Sequence, residues 1–195
     1  MTIDLDLLDT ESAKEAIVTI SKVAAANGVD WAIVGGIAVA LYGGDRNTKD
    51  VDVIANKLLP LDSEGKLRQG GERYIVKATR RDVFVDWILR NDSFKKLFQV
   101  ALSEAVKIND VPVLTPEWLV ILKFIAGRFK DQEDAVFLLS RPGLVDRHLI
   151  KQKIVEHVSP EAWGLARHGY ERWYEIADGR SRDEERDAKE GYIDS

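Results

Sequence analysis

The sequence predicts an α/β fold of the α+β kind: a mixed sheet flanked by helices, followed by a helical C-terminal region. Three observations carry this. Short apolar runs bounded by glycines alternate with helical periodicity over residues 1–114. From Pro116 onward the pattern turns to helices alone. A composition of 45% hydrophobic and 31% charged residues in 195 positions supplies a core without disulfides.

In order, Glu11 to Asn27 reads as an amphipathic helix, with Ala13, Ala16, Ile17, Ile20, Val23 and Ala24 at helical spacing and Asn27-Gly28 as its stop. Trp31 to Val34 suits a buried strand running into Gly35-Gly36, and Ile37 to Tyr42 one or two helical turns closed by Gly43-Gly44. Val51 to Ala55 reads as a second strand. Residues 56–73, with Pro60, Gly65, Gly70 and Gly71, read as a loop holding a short helix or edge strand. Tyr74–Ala78 and Val83–Leu89 form a hairpin turned by Thr79 to Asp82, and Ala105–Ile108 with Val111–Leu114 a second one around Asn109-Asp110. Thr115-Pro116-Glu117 opens a helix, with Thr115 as the expected N-cap. Asp131–Leu139, Asp146–Val158 and Glu161–Ile176 continue as helices. The expected organisation is a core over 1–114, a helical region over 115–178 packed on it, and a charged, frayed tail over 179–195.

The bulk properties exclude several function classes. Cysteine is absent, which removes thiolate catalysis, zinc–thiolate sites and disulfides together. A net charge of −5 confines any nucleic-acid contact to a local patch. The acidic N-terminus lacks a signal-peptide pattern, and WLVILKFIA is too short to cross a bilayer, so a soluble cytoplasmic protein is expected.

The chemistry gathers around three aspartates. Asp50 and Asp52 stand two apart in a strand, so both carboxylates project to one face while Val51 and Val53 point into the core. Hard oxygen ligands at that spacing suit Mg²⁺ or Mn²⁺. Asp86 interrupts the apolar run from Val83 to Leu89, and an ionised carboxylate there needs a metal, a hydrogen bond or an arginine such as Arg80 or Arg81. If its strand lies beside that of Asp50 and Asp52, three carboxylates converge. Gly35-Gly36, between a strand and a helix, can present backbone N–H groups to phosphate; it matches neither a P-loop nor G-x-G-x-x-G. Thr48 orders the loop before Asp50.

The order of apolar strand, Gly35-Gly36, short helix, Arg46-x-Thr48-x-Asp50-x-Asp52 and later Asp86 resembles the nucleotidyltransferase superfamily that includes DNA polymerase β. Within it, the pattern is most similar to minimal bacterial AbiEii-like enzymes, with further likeness in Pro116-Glu117, Lys123 and Asp131-x-x-Asp134. The resemblance implies a nucleotidyltransferase-like mixed sheet and metal-dependent transfer of a nucleoside monophosphate from an NTP to an acceptor hydroxyl. It further implies that Asp50, Asp52 and Asp86 hold the metals, that Gly35 and Gly36 hold phosphates, and that Lys123 and Arg46 neutralise the triphosphate. Many relatives carry serine where this chain has Gly36, so the grip here depends on backbone donors and basic side chains.

The acceptor it favours is an RNA or tRNA end in a toxin–antitoxin-like system with an antitoxin protein partner, supported by the basic residues Lys66, Arg68, Arg73, Lys77, Arg80 and Arg81. An antibiotic-modifying enzyme and a catalytically silent interaction module are the alternatives. Trp163, Tyr170, Trp173 and Tyr174 are expected to pack rather than to stack bases, and His148, His157 and His168 show no ligand spacing.

Overall fold

The computed structural model describes residues 9–45 and 48–179. Arg46, one of the expected phosphate contacts, and the expected tail from 180 onward lie outside the described residues. The chain divides into two compact units, one ending at Leu119 and one starting at Val120.

The first unit opens with helix α1, Thr10–Ala26. Asp9 caps it by accepting from the Ser12 N–H, and Ala16, Ile17, Ile20 and Ala24 make its buried stripe. Strand β1 is Trp31–Ile33, and helix α2, Gly35–Leu41, starts directly on the glycine pair rather than after it. Strand β2 is Asp50–Ala55. The stretch read as a loop holding a short helix or edge strand contains the edge strand β3, Ser63–Lys66, and the beginning of β4, Gly71–Lys77. Gly71 sits at φ +98°, and a Cβ there would stand 2.1 Å from the Trp87 carbonyl oxygen, so β4 can enter the sheet only through a glycine. Strand β5 is Asp82–Ile88.

Helix α3, Lys95–Ser103, has no counterpart in the sequence reading, although it is amphipathic, with Leu97 and Ala101 buried and Phe98, Val100 and Leu102 half-buried. Strands β6, Val106–Ile108, and β7, Val111–Val113, form the second hairpin, whose turn residues Asn109 and Asp110 both have positive φ (50° and 65°) as a type I′ turn requires. Helix α4, Pro116–Ala126, runs across the unit boundary. Thr115 caps it through the main chain, its carbonyl accepting from the Leu119 N–H at 3.0 Å. Its hydroxyl, expected to do the capping, is buried with no hydrogen bond among the described residues.

The strands form one mixed sheet in the order β3-β4-β5-β2-β1-β7-β6, with β2/β5 and β1/β7 parallel and the other pairs antiparallel. Both expected hairpins are present. One sheet face carries Val51, Val53, Val83, Val85, Trp87, Tyr74 and Val76, all at most 4% exposed. Trp31, Tyr74 and Trp87 meet there at ring-centroid distances of 6.3 and 6.4 Å. Helix α1 packs against β2, β4 and β5, and α3 against β2. The alternate residues of the same strands are left to the other face.

The second unit holds the rest of α4 with α5, Phe129–Ser140, α6, Arg147–His157, and α7, Pro160–Ala177. Its core is aromatic: Phe124 stacks on Tyr170 at 4.0 Å and meets Trp173 edge-on at 5.1 Å, while Trp163 also stacks on Tyr170, at 5.6 Å. The aromatic residues of α7 therefore pack, as their spacing suggests. Arg147 forks Asp178, tying the start of α6 to the end of α7. No helix among the described residues is long and apolar enough to cross a membrane.

Candidate metal and nucleotide site

The parallel register of β2 and β5 places Asp52 directly across from Asp86 and Asp50 across from Phe84. Since successive side chains alternate faces, all four stand on the face opposite the valine core. One ligand oxygen from each of Asp50, Asp52 and Asp86 lies within 4.8 Å of the others. The strand adjacency on which the convergence depended is therefore realised. Asp86 is buried at 8% exposure, and Asp50 and Asp52 are half-buried.

Three carboxylates so close repel by roughly 1–3 kcal/mol per pair at effective dielectric constants between those of a protein surface and water. The protein answers that repulsion with Arg73. Its Nε donates to Asp86 Oδ1 at 2.6 Å and its Nη2 to Oδ2 at 2.8 Å, and Nη2 stands 3.8 Å from Asp50 Oδ2. The hydrogen bonds to Asp86, together with the charges of Asp86, Asp50 and Asp52, outweigh desolvation and push the guanidinium pKa above its ordinary value. The arginine expected beside Asp86 is thus Arg73, not Arg80 or Arg81; Arg80 pairs with Asp9 at 3.7 Å. Arg73 is directly opposite Asp86 in the β4/β5 register. Counting outward from the Thr79–Asp82 turn would have found it, had the first strand been carried one residue further back than Tyr74.

Gly35 is part of the same construction. It has φ +64°, and a Cβ there would lie 2.0 Å from Asp52 Oδ2, inside the carboxylate itself. The first glycine of the pair therefore makes room for Asp52. Replacing Gly35 with Ala is expected to cost at least about 1–2 kcal/mol from the left-handed backbone alone. It also displaces Asp52, so thermal unfolding and metal affinity should fall together. Gly36, the second residue of α2, is buried. Thr48 donates to the Asp50 carbonyl at 3.1 Å and to its Oδ1 at 3.3 Å, ordering the chain as it enters β2.

Beside the carboxylates lies a cleft of ≈ 310 Å³ lined by Lys49, Asp50, Arg73, Arg81 and Phe84. Phe84 is 40% exposed, unusual for a phenylalanine next to a charged cluster, and the Arg73 guanidinium lies over its ring at 5.4 Å. Lys123 is in the helical unit, at 5% exposure, with Nζ 2.5 Å from Asp134 Oδ2 and 3.6 Å from Asp131 Oδ1.

The residues fit a divalent cation. The donor set is carboxylate oxygen throughout, and Gly35 clears the space for Asp52.

No protein-family model matches the sequence, and no curated protein matches it. Solved structures do resemble it. An antigenic nucleotidyltransferase-like protein from Paracoccidioides brasiliensis superposes with a TM-score of 0.50 at 20% identity, covering 82% of this chain and 94% of its own. A protein from H. pylori assigned as a nucleotidyltransferase gives 0.49 at 15% identity, over 81% of this chain and 83% of its own. The Helicobacter pylori protein JHP933 gives 0.47 at 14%, over 75% and 74%. At these identities the likeness is one of fold: the chain has the mixed α/β fold of nucleotidyltransferase-like proteins.

Proposed function

We propose that this protein is a metal-dependent nucleotidyltransferase that moves a nucleoside monophosphate from an NTP to the terminal hydroxyl of an RNA. The observation that carries the reaction type is the meeting of Asp50, Asp52 and Asp86 within 4.8 Å on one sheet face. Asp50 and Asp52 would hold Mg²⁺ or Mn²⁺, with Asp86 completing the set on the acceptor side. The metal, when bound, supplies charge neutralisation at the triphosphate and acidifies the acceptor hydroxyl.

The chain's own groups do the rest. The acceptor oxygen attacks the α-phosphorus, the bond from that phosphorus to the β-bridging oxygen breaks, and pyrophosphate leaves. The hydroxyl proton passes to the Asp86 carboxylate or to water. The N–H groups of Gly35 and Gly36, in the first turn of α2 and so without intrahelical partners, are available to phosphate oxygens, and Arg46 is proposed to join them.

The cleft supports an RNA acceptor. Its lining sets Lys49, Arg73 and Arg81 beside Asp50, a basic excess that favours a polyanion over a cationic drug, and half-exposed Phe84 offers a flat face to a terminal base. Phe84 is two residues before Asp86 on the same strand and face, on the side assigned to the acceptor. An antitoxin partner remains a proposal from the sequence resemblance.

Incubating the protein with labelled NTPs and Mg²⁺ against total RNA, protein extract and an aminoglycoside panel tests the reading. Label should enter RNA, and Phe84→Ala should raise the KM for RNA more than the KM for NTP. Label in protein or drug but never in RNA would overturn the acceptor, and no transfer to any of them would overturn the reaction.

A further inference from the structure

Arg73 stands where an incoming cation must compete. It holds both oxygens of Asp86 in a two-point fork, reaches toward Asp50, and is fixed from behind by the β4/β5 register and from the side by Phe84. The Asp86 side chain is only 11% exposed, while the Arg73 side chain is 40% exposed and can be reached from the solvent side.

We infer that Arg73 is the residue that makes the site take a divalent cation together with a triphosphate and refuse the cation alone. The inference rests on the metal-dependent reading above. Bare Mg²⁺ or Mn²⁺ at the triad meets three carboxylates of which one is already neutralised, and adds two positive charges beside a third. Coulomb repulsion between these like charges scales with their product, so the guanidinium weakens bare-metal binding out of proportion to its single charge. A triphosphate reverses the balance, because its negative charges offset metal and guanidinium together. The planar fork that grips Asp86 is also the geometry that grips phosphate oxygens, so Arg73 can serve the nucleotide when it loosens from the acid. A lysine could neutralise the charge there, but its ammonium is a point charge without the planar two-point fork.

The test measures Mn²⁺ binding to the full chain by electron paramagnetic resonance, with and without a non-hydrolysable NTP, in wild type, Arg73→Gln and Arg73→Lys. Wild type should bind bare Mn²⁺ weakly and Mn²⁺ with nucleotide well. Arg73→Gln should bind bare Mn²⁺ at least about tenfold more tightly than wild type, by relief of like-charge repulsion, and should lose most of the gain that the nucleotide brings. Arg73→Lys should keep the weak bare-metal binding. A purely structural arginine would instead lower both affinities along with the melting temperature. Equal or weaker bare Mn²⁺ binding in Arg73→Gln, with binding still abolished by Asp50→Asn, overturns the role of Arg73 alone. Absence of Mn²⁺ from wild type and variant in both states overturns that role and the metal-dependent reading with it.

Discussion

Asp52→Asn is expected to lower kcat/KM for nucleotidyl transfer by about 10³-fold, the equivalent of several kcal/mol of lost metal-borne stabilisation of the transition state. The substitution keeps the shape of the side chain, so Gly35 still accommodates it and the sheet still closes around Val51, Val53 and Val85. What changes is charge. Asp52 pairs in register with Asp86 and is the acid against which the chain has packed a glycine, so it has the least freedom to be replaced by a neighbour. Stability should hold or rise slightly, since one source of repulsion within the triad is removed while Arg73 keeps Asp86. Steady-state kinetics and calorimetry on the same preparation check both halves. Loss of activity accompanied by a large loss of stability would point to a structural role instead.

The second large effect concerns stability. Lys123→Met is expected to destabilise the helical unit by about 3–5 kcal/mol, because it removes a buried ammonium that faces two buried carboxylates. Asp131 and Asp134 have 3% and 6% side-chain exposure, Lys123 reaches both, and Arg128 holds Asp131 at 2.6 Å. The loss is expected as a fall of about 10 °C in the melting temperature. Replacing Lys123 and Asp134 together with apolar residues should recover most of it, since the pair removed whole leaves no orphan charge.

Acid acts on the same cluster. Burial works to raise the Asp131 carboxyl, but the hydrogen bonds from Arg128 and the charge of Lys123 outweigh it and hold the group below its ordinary 3.8. A depressed pKa contributes stability that is complete above the unfolded value of about 4 and is lost as pH falls through the folded one. Acid unfolding monitored between pH 5 and pH 2, on the order of the window set by that lowered carboxyl, should therefore start later in wild type than in Arg128→Ala.

How much of this was legible in the sequence differs by residue. The period-two alternation around Asp50 and Asp52 and the apolar run around Asp86 sufficed to place the three acids on strands. Their convergence depended on which strands are neighbours, and that is settled by the β2/β5 pairing across more than thirty positions of chain. Helix α3 escaped notice although Leu97, Phe98, Val100, Ala101 and Leu102 recur at helical spacing; it is shorter than the roughly ten to twelve residues from which periodicity separates helix from strand. The sequence leaves the edge strand β3 open against a short helix, because the run Ser63-Glu64-Gly65-Lys66 is polar throughout and shows no alternation; its pairing with β4 decides it.

Arg73 was visible as one of six basic residues but not as the partner of Asp86, since charge counts carry no register. For Gly35 the sequence suggested an open turn for phosphate, whereas the backbone places it against Asp52 and so gives it a steric duty first. Lys123 read as a candidate to neutralise triphosphate charge or as a snorkelling residue at the margin of an apolar helix face; its contact with Asp134 was not legible, because that acid lies on the next helix.

The most direct test of the central claim, that these three aspartates hold a divalent cation for an NTP, is the melting temperature of the full chain with NTP, with and without Mg²⁺. At a ligand concentration near one hundred times Kd, the account predicts a rise of about 5–10 °C. That rise should require nucleotide and metal together and vanish in Asp50→Asn and Asp52→Asn. No shift in wild type, or the same shift in both variants, would contradict it.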